Sequence, residues 1–374
     1  MNDRQTEILY TIALTQIPLI GSIIANKLID RCGSAEQIFK ASSSHLSRIE
    51  HVSTAIIDSI ASTKSIALDI ASQELEYIDK NKVTVFLKKD KTFPARLASC
   101  TDAPVILFGQ GNLDLNPKYS VAIVGTRRLT EYGSQITKKI VKELSLYKEI
   151  QIISGLAAGI DTVAHQAALQ NCLSTIGILG HGLQTLYPAN NRRLALKMHE
   201  NGGLITEFTS NVIGDAYNFP RRNRIIAGMA DAILVVEAHE RGGALITANI
   251  GFSYNRDIFT VPGRIGDKAS EGCNNLIKYN KAALITSGED IIKSMMWDDS
   301  HRKDTDKSKQ KKILFDLNQE EQLIVDALQT KNGLNIDDLT FVTNLNISVL
   351  TMTLLMLEFK GIVNCLPGKR YVLI

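Results

Sequence analysis

The stretch that decides the interpretation of this chain reads Asn218-Phe219-Pro220-Arg221-Arg222-Asn223-Arg224-Ile225-Ile226-Ala227-Gly228. Pro220 suits the first turn of a helix, because its fixed φ fits there and its missing N–H would lack an intrahelical partner anyway. Ile225 and Ile226 begin an apolar face, and the run 232–237 has the pattern of a buried strand. The sequence therefore predicts a helix that leads into a central strand.

The arginines of this stretch conflict with a purely structural role. We place Arg221, Arg222 and Arg224 in the first turn of the predicted helix, where the positive end of the helix dipole repels cations. Folding alone would favour Asp or Glu at this position. One interpretation is three solvated surface arginines; the other is an anion that uses the arginines together with the helix N–H groups. We favour the anion, provided that other loops bring anion-binding groups to the same place.

Composition sets few limits on function. The chain has 374 residues, of which 44% are hydrophobic and 22% are charged, which is typical of a globular protein of two or three domains. A net charge of +3 is too small to indicate nucleic acid by itself. The five cysteines lack metal or redox spacing and favour reduced thiols. No apolar run approaches the ~20 residues of a membrane span, so we expect a cytoplasmic protein.

Residues 1–80 have a helical pattern. Apolar residues at helical spacing flank the segment 17–21, Ile-Pro-Leu-Ile-Gly, which breaks the first helix. A helix, a tight turn and a second helix are typical of a helix-hairpin-helix or SAM-like domain, whose turn amides can hold a DNA phosphate. A plain helical bundle with Gly21 as a turn residue explains the pattern equally well. Residues 48–53 are a candidate for a second, degenerate copy of the hairpin.

Residues 81–297 predict an α/β domain. Apolar strands alternate with helical stretches, which is the pattern of a parallel, doubly wound, extended Rossmann-like sheet. These strands are apolar throughout, as expected when helices cover both faces. Two β-like runs between residues 83 and 117 are expected to extend the sheet. The strands of the main run are predicted at 121–124, 150–153, 175–179, 203–206, 232–236, 258–261 and 283–286.

The remainder predicts a linker and a small domain. Residues 298–312 contain no aliphatic or aromatic residue and are typical of a flexible charged linker. Residues 313–374 predict three helices and a terminal hairpin around Pro367-Gly368, typical of a winged helix. Its third helix, 348–359, is nearly uncharged, whereas a DNA recognition helix usually carries Arg, Lys or Asn. We therefore favour protein docking or regulation for this domain.

The candidate site lies at the carboxyl ends of the predicted strands, where ligands bind in doubly wound sheets. Nearly every strand there ends in glycines, arginines or the start of a helix, all of which suit anions. The candidate binding residues are Gly125, Thr126, Arg127, Arg128, Ser154, Gly155, Gly159, Arg222, Asn223, Arg224, Arg241, Gly242 and Gly243.

Several site classes are disfavoured. Neither a Gly-x-Gly-x-x-Gly nor a P-loop signature occurs, so a polyanion held by its phosphates fits better than a dinucleotide or ATP. Ser154, Asp161 and His165 could form a catalytic trio, but the strained Gly-x-Ser-x-Gly elbow is missing. The histidines at 165, 181 and 199 lack metal-ligand spacing. We expect no catalysis, no cofactor and no metal.

The motifs together resemble the DNA-processing protein A (DprA/Smf) family, in the right order from about Phe93 to Ile285. The resemblance rests on the segments 124–127, 154–157 with 159–161, 164–165, 219–220 with 222–226, 235–238, 245–248, 261–263 and 272–274 with 276–277. The outer domains agree with the usual layout of this family.

The resemblance implies a non-enzymatic protein that binds single-stranded DNA, protects it during natural transformation (competence) and recombination, and loads the RecA recombinase. It also implies a homodimer formed through the Rossmann core. The loop matching 125–127 and the arginines matching Arg222 and Arg224 then lie in the DNA pocket, and Arg221 occupies a variable position. The chain departs from the family pattern at Ala158, at 241–244 and at 280–282.

Two other functions remain as alternatives. Gly242-Gly243 after a strand that ends in Glu237 partly matches the signature of LOG-like nucleotide phosphoribohydrolases, although the Pro, the second Gly-Thr and the acidic residue at the right offset are missing. A third possibility is a DNA-binding scaffold whose winged helix docks a partner.

Overall fold

The computed structural model describes residues 2–297, 317–330, 333–360, 362–366 and 370–373. The chain divides into two compact units, residues 1–303 and 304–374. The predicted linker 298–312 and the predicted Pro367-Gly368 turn lie outside the described residues.

The first unit begins with helices. Two of its turns share one backbone conformation: Leu19 (φ 68°) and His51 (φ 67°) each stand two residues before the N-cap of the next helix. In each turn the following residue, Ile20 or Val52, is buried. The candidate second hairpin at 48–53 therefore has the same turn as the first. The helices are α1 (Asp3–Gln16), α2 (Ser22–Cys32), α3 (Ala35–Lys40), α4 (Ser43–Leu46) and α5 (Thr54–Asn81).

A nine-stranded sheet forms the body of the first unit, in the order β1-β2-β6-β5-β4-β3-β7-β8-β9. The strands from β3 to β9 pair in parallel, whereas β1 pairs antiparallel with β2 and β2 with β6. The predicted parallel core is confirmed, and the two earlier runs extend it as expected. The strands are β1 (Thr84–Leu87), β2 (Ile106–Asn112), β3 (Tyr119–Val124), β4 (Ile150–Ser154), β5 (Ser174–Ile178), β6 (Gly202–Thr206), β7 (Ala232–Val235), β8 (Asp257–Thr260) and β9 (Ala283–Leu284).

Helices cover both faces of the sheet, which explains why the strands are apolar throughout. In β3, Ala122 and Val124 face one buried cluster, while Val121 and Ile123 face another on the opposite side. Further helices of the unit are α6 (Ala95–Ala98), α7 (Glu131–Leu144), α8 (Ile160–Gln170), α9 (Arg192–Met198), α10 (Asn218–Met229), α11 (Gly243–Ser253), α12 (Glu271–Lys278) and α13 (Gly288–Ser294).

The strand order places the candidate site. From β3 the chain proceeds to β4, β5 and β6 on one side and then returns to β7 on the other side of β3. The loops after β3 and β7 therefore diverge and leave a crevice between them. Such a topological switch point is where open α/β sheets bind ligands.

Buried polar contacts attach the N-terminal helices to the sheet. Glu74 of α5 is 6% exposed and accepts hydrogen bonds from Ser210 N (2.9 Å) and Ser210 Oγ (2.7 Å), in the loop after β6. Asn26 of α2 donates to Ala103 O (2.7 Å) and accepts from Lys88 Nζ (2.9 Å). These contacts hold the helices in one orientation against the loop that leads to α10.

The second unit has winged-helix topology, with a three-stranded sheet in the order β10-β12-β11. Its third helix buries Leu350, Leu354 and Leu357 and exposes Met352 and Phe359. The elements are α14 (Gln319–Thr330), β10 (Leu334–Asn335), α15 (Ile336–Thr343), α16 (Ile347–Phe359), β11 (Val363–Leu366) and β12 (Arg370–Leu373). Among the described residues, no single helix is both long and apolar enough to cross a bilayer; α15 and α16 reach that length only together, with a 109° bend between them.

The buried Glu74 carboxylate predicts a stability effect. Glu74→Ala removes a charged acceptor and leaves Ser210 N–H buried without a partner, so we expect a loss of about 2–3 kcal/mol in the free energy of unfolding. Urea unfolding measures it. Glu76→Ala, at an exposed position of the same helix, is the matched control and should change stability little. Equal losses in both variants would show that the effect is not due to this contact.

Candidate functional site

A cleft with a volume of about 580 Å³ opens at the switch point between β3 and β7. The loops after β3 and β7 contribute to its lining, as do the starts of α10 and α11. Most of the residues predicted for the site lie there: Gly125, Thr126, Arg127, Arg128, Arg222, Asn223, Gly242 and Gly243.

The start of α11 supplies the free N–H groups of the cleft. Gly242 is its N-cap, and among the described residues no side chain caps this helix. Gly243 has no described atom within 4 Å of the position of a Cβ, so the helix start faces open space. The first N–H groups of a helix have no intrahelical partner and carry the positive end of its dipole. This end of α11 is therefore an anion-binding position.

The start of α10 differs from the prediction. The helix begins at Asn218, and Asp215 Oδ1 accepts hydrogen bonds from Tyr217 N (2.9 Å) and Asn218 N (2.6 Å). The prediction that all three arginines occupy the first turn was wrong, because this earlier start shifts Arg222 and Arg224 into the second turn. The carboxylate that stabilises the start of this helix belongs to Asp215, which lies before the first helical residue. The amides of α10 are thus already engaged.

Arg222 lies below the cleft and is 4% exposed. Its Nη1 donates to Gly155 O (2.5 Å) and to Ile178 O, which joins the loop after β4 to the end of β5. A Cβ at position 155 would collide with this guanidinium, so glycine there allows Arg222 to reach the loop. Burial lowers the pKa of Arg222 to about 10, although the charge of Asp161 opposes this shift. The guanidinium therefore remains cationic at neutral pH.

Asp161 completes this buried arrangement. Its Oδ2 accepts from Gly155 N (3.1 Å) and Ala157 N (3.4 Å). Burial raises the pKa of Asp161, and the neighbouring Arg222 is the main influence that opposes the rise. Asp161 thus shapes the loop after β4 and balances the charge of Arg222, so the net positive charge of the cleft comes from the exposed Arg127 and Arg128.

Arg224 and Arg221 lie on another side of α10. Arg224 forms an ion pair with Glu207 and donates to Asp102 O and to Ser22 Oγ (3.2 Å). The exposed Arg221 lies over the Tyr217 ring, 5.4 Å from its centroid. Neither arginine lines the cleft, so the DNA contact of Arg224 stays a prediction, and its guanidinium already has three protein partners.

The other predicted residues support the cleft from below or lie beside it. Ser154 Oγ donates to Ile123 O (2.6 Å). Gly159 has φ 87°, and a Cβ there would lie 2.2 Å from Thr126 O, so glycine lets the loop after β4 pack against the loop after β3. Arg241 is exposed next to Gly242.

Aromatic side chains line or flank the cleft, and the list of candidate residues omitted them. Phe219 lines the cleft, and the Arg127 guanidinium lies 5.3 Å from its ring centroid. Tyr187 is 5.6 Å from Phe219, centroid to centroid, and is half exposed. Phe219 belongs to the opening motif, but the prediction for that motif rested on its arginines. His239 and Thr247 also line the cleft without a sequence signal that singled them out.

The possible catalytic trio does not form. Ser154 Oγ is engaged by a backbone carbonyl, and His165 Nδ1 lies 2.7 Å from Thr175 Oγ1. Glu237 accepts from Thr130 N (3.0 Å) and Thr130 Oγ1 (2.5 Å) at the start of α7. Within the described ranges, no group of three or more His, Cys, Asp or Glu side chains is placed to hold a metal.

The fold and the cleft define a Rossmann-like protein with an open cleft at the topological switch point, lined by arginines and a helix start. A family profile for DNA recombination-mediator protein A matches residues 84–296, and the profile of the DprA winged helix domain matches residues 309–369. The chain belongs to the DNA recombination-mediator protein A (DprA/Smf) family. The resemblance noted in the sequence is confirmed, and so is the predicted fold class, including its winged helix.

Known proteins of this family are clearly similar. The DNA processing protein DprA of Streptococcus pneumoniae is 42% identical over 203 residues, which are 54% of this chain and 71% of that protein. The X-ray structure of DprA from S. pneumoniae has a TM-score of 0.65 at 34% identity and covers 76% of this chain and 97% of that one. A structure of DprA from Helicobacter pylori, described for its single-stranded DNA binding mode, has a TM-score of 0.52 at 26% identity and covers 57% of this chain and 96% of that one.

The buried His165 predicts a pH dependence of stability. Burial and the charge of Arg222 lower its pKa from 6.5 to about 3, so between these values the unfolded state binds one more proton than the folded state. Stability is thus full above about pH 6.5 and falls as the pH decreases toward 3. When the pH is lowered from 7.5 to 5.5, we expect the free energy of unfolding of the wild type to fall by roughly 1 kcal/mol. The His165→Gln variant should not show this loss.

Urea unfolding at the two pH values measures this difference. His239→Gln, which removes an exposed histidine, should keep the wild-type dependence. If His165→Gln lost as much stability as the wild type between the two pH values, His165 would not be the neutral, buried group responsible for the loss.

Proposed function

We propose that this protein binds single-stranded DNA through its phosphates in the switch-point cleft. The observation that carries the proposal is the uncapped start of α11, which faces Arg127 and Arg128 across an open cleft. Free N–H groups and exposed guanidinium groups together form the environment that phosphates prefer. The H. pylori relative that shares the fold is described as binding single-stranded DNA, and this supports the same ligand class here.

The aromatic residues favour a single strand over a duplex. Phe219 and the half-exposed Tyr187 lie beside the cationic wall of the cleft. Bases of a single strand can stack on such rings, whereas the bases of a duplex are already stacked. Stacking is tolerant of sequence, so we propose binding with little sequence preference inside this cleft.

The cellular role that we propose follows from the family. As a recombination mediator, the protein would shelter single strands in the cytoplasm during transformation or recombination and help RecA to assemble on them. We also propose a homodimer formed through the Rossmann core. The sheet ends in the short strand β9, where Leu284 is exposed, and Tyr279 just before this strand is exposed too; these apolar groups support such a contact.

The nearly uncharged α16 favours protein docking over DNA reading for the second unit. Exposed Met352 and Phe359 would offer an apolar contact to a partner, whereas groove recognition needs polar and basic groups. We propose that this unit recruits a protein, and that DNA affinity therefore resides mainly in the first unit.

Gly243→Asp tests the helix start directly. The added carboxylate has space and a favourable position near the start of α11, but it competes with a phosphate for the same N–H groups. We expect stability to be unchanged or slightly raised and affinity for a thymidine oligonucleotide to fall about tenfold. Fluorescence polarisation measures affinity. Gly243→Asn, a control of similar size without charge, should lose much less affinity for the oligonucleotide. If both variants lost the same affinity, the phosphate would lie elsewhere.

Arg127→Ala tests the wall of the cleft. Each phosphate contact to a single strand contributes about 0.7 to the slope of log affinity against log salt, so we expect the slope to decrease by about that amount. A salt titration with single-stranded oligonucleotides measures it. Lys138→Ala removes an exposed cation of α7 that does not line the cleft and should keep the wild-type slope. An unchanged slope in Arg127→Ala would remove this residue from the site.

The alternative of nucleotide hydrolysis predicts release of adenine from AMP. The chain lacks the acidic residue of that signature at the right offset, and the nearby Glu237 is engaged by Thr130, so we expect no release above a blank. Adenine production that Glu237→Gln abolishes would overturn the non-enzymatic proposal.

A further inference from the structure

Helix α16 of the second unit is apolar on two opposite faces. One face packs into the core of the unit through Leu350, Leu354 and Leu357. The opposite face, called the outer stripe below, consists of four long side chains that are each more than half exposed: Met352 (67%), Leu355 (53%), Met356 (51%) and Phe359 (81%). A helix at the surface of a globular protein normally presents polar groups on the face opposite its core. A single copy of the unit therefore does not explain this stripe.

Helix α7 of the first unit shows the ordinary pattern. It buries Ile140 and Leu144 and exposes Lys138 and Lys142. Helix α16, in contrast, has Glu358 as its only charged residue. Contiguous apolar patches of this kind on a soluble protein mark a surface that another molecule covers.

The spacing of the outer stripe makes it symmetric about its own centre. Its positions follow the series i, i+3, i+4, i+7, which places them in one row along the helix. Reversing the direction of the helix exchanges Met352 with Phe359 and Leu355 with Met356. A surface that keeps its pattern on reversal is complementary to a second copy across a twofold axis. In an antiparallel pair, Phe359 of one copy meets Met352 of the other, and sulfur–aromatic contacts of this kind are favourable.

The lack of charge in the outer stripe also favours an identical partner. A charged surface placed against the stripe would lose its water without gaining a hydrogen bond or an ion pair, and this is costly. A second copy of the same stripe brings no charge into the contact. The self-contact therefore incurs no penalty for desolvating a charge.

The size of the outer stripe suits a reversible contact. Four long side chains that are more than half exposed give a patch on the order of 500 Å² per copy, so a pair buries about 1,000 Å² in total, which is the lower limit for a specific interface. Such a contact becomes stronger when two copies are already held in one complex. The homodimer proposed for the Rossmann core would hold them in this way.

We propose that the outer stripe of α16 binds the same stripe of a second copy of this chain, as an antiparallel pair of helices. This inference rests on the docking role proposed for the second unit and identifies the protein that the unit recruits. Two first units, each with its own DNA cleft, would be joined through their second units.

Disulfide trapping in the full chain tests the pair. Trypsin releases residues 332–360 as one peptide without a native cysteine, so Met356→Cys gives a linked peptide that mass spectrometry identifies. Position 356 lies next to the proposed twofold axis, where two thiols can approach within bonding distance. Thr351→Cys, at an exposed position beside the stripe, is the matched control. After mild oxidation we expect on the order of tenfold more linked peptide from Met356→Cys than from Thr351→Cys.

A second pair of variants shows whether the stripe itself causes the linkage. Leu355→Glu added to Met356→Cys places a carboxylate inside the apolar contact, so the linkage should fall to the level of the control. Thr351→Glu added to Met356→Cys places the same charge beside the stripe and should retain the linkage. Both added residues stand at exposed positions, and urea unfolding should confirm that both variants fold. Linkage that Leu355→Glu leaves unchanged would result from random collision and would overturn the proposal.

Maleimide labelling of Met356→Cys separates the other occupants of the stripe. A thiol that does not link but resists labelling in the chain alone would show that the first unit of the same chain covers the stripe. A thiol that becomes protected only with purified RecA, or only with vesicles of phosphatidylethanolamine and phosphatidylglycerol, would assign the stripe to that occupant. Each of these results would overturn the self-contact, and so would a thiol that neither links nor is protected.

Affinity for a thymidine oligonucleotide is measured on the same samples. Leu355→Glu should leave this affinity unchanged, because the DNA cleft lies in the first unit. A wild-type chain that binds no strand would overturn the proposed DNA function, whereas the linkage result would still decide the self-contact.

Discussion

The buried guanidinium of Arg222 is the interaction on which the cleft depends. It donates to the carbonyl of Gly155, faces Asp161, and lies directly below the loops that form the cleft. Removing one partner of a buried charge pair costs about 3–5 kcal/mol, because the other partner is left uncompensated. Arg222 therefore acts first as a structural cation: it fixes the loop after β4, and Gly159 in that loop packs against the loop that carries Arg127. A loss of DNA binding on removing Arg222 would report a collapsed loop as readily as a lost phosphate contact.

Four helix starts of the first unit differ in how they are capped. The starts of α7 and α10 are capped within the protein, by Thr130 with Glu237 and by Asp215. Among the described residues, the starts of α2 and α11 have no side-chain cap, and each lines a cavity. Since N–H groups at a helix start need partners, these two starts are open to a ligand. The two cavities differ in charge, because the carboxylate of Glu207 lines the one at α2 beside Arg221.

Much of this arrangement could be predicted from the sequence. The parallel sheet follows from apolar runs separated by helical stretches, and the position of the site follows from the topology of such sheets. The glycine and arginine motifs after β3 and β7 indicated the lining of the cleft. The surface that each arginine side chain meets could not be predicted. Arg221, Arg222 and Arg224 are close in sequence, but a helix points their side chains to different sides of its axis. The capping of α10 by Asp215 was also unpredictable, since a loop carboxylate gives no periodic signal.

The separation of these arginines explains how one short motif serves three purposes. Arg222 is directed into the core of the sheet, Arg224 joins α10 to the N-terminal helices through Ser22, and Arg221 remains at the surface on an aromatic ring. A cation that is already saturated by protein acceptors contributes little new bonding to a phosphate, and the charges of Arg222 and Arg224 are opposed by those of Asp161 and Glu207. The exposed Arg127 and Arg128 can then reorganise around a flexible strand at low cost. The buried and paired arginines of the motif therefore organise the site, while the cations still available to a phosphate are the exposed Arg127 and Arg128.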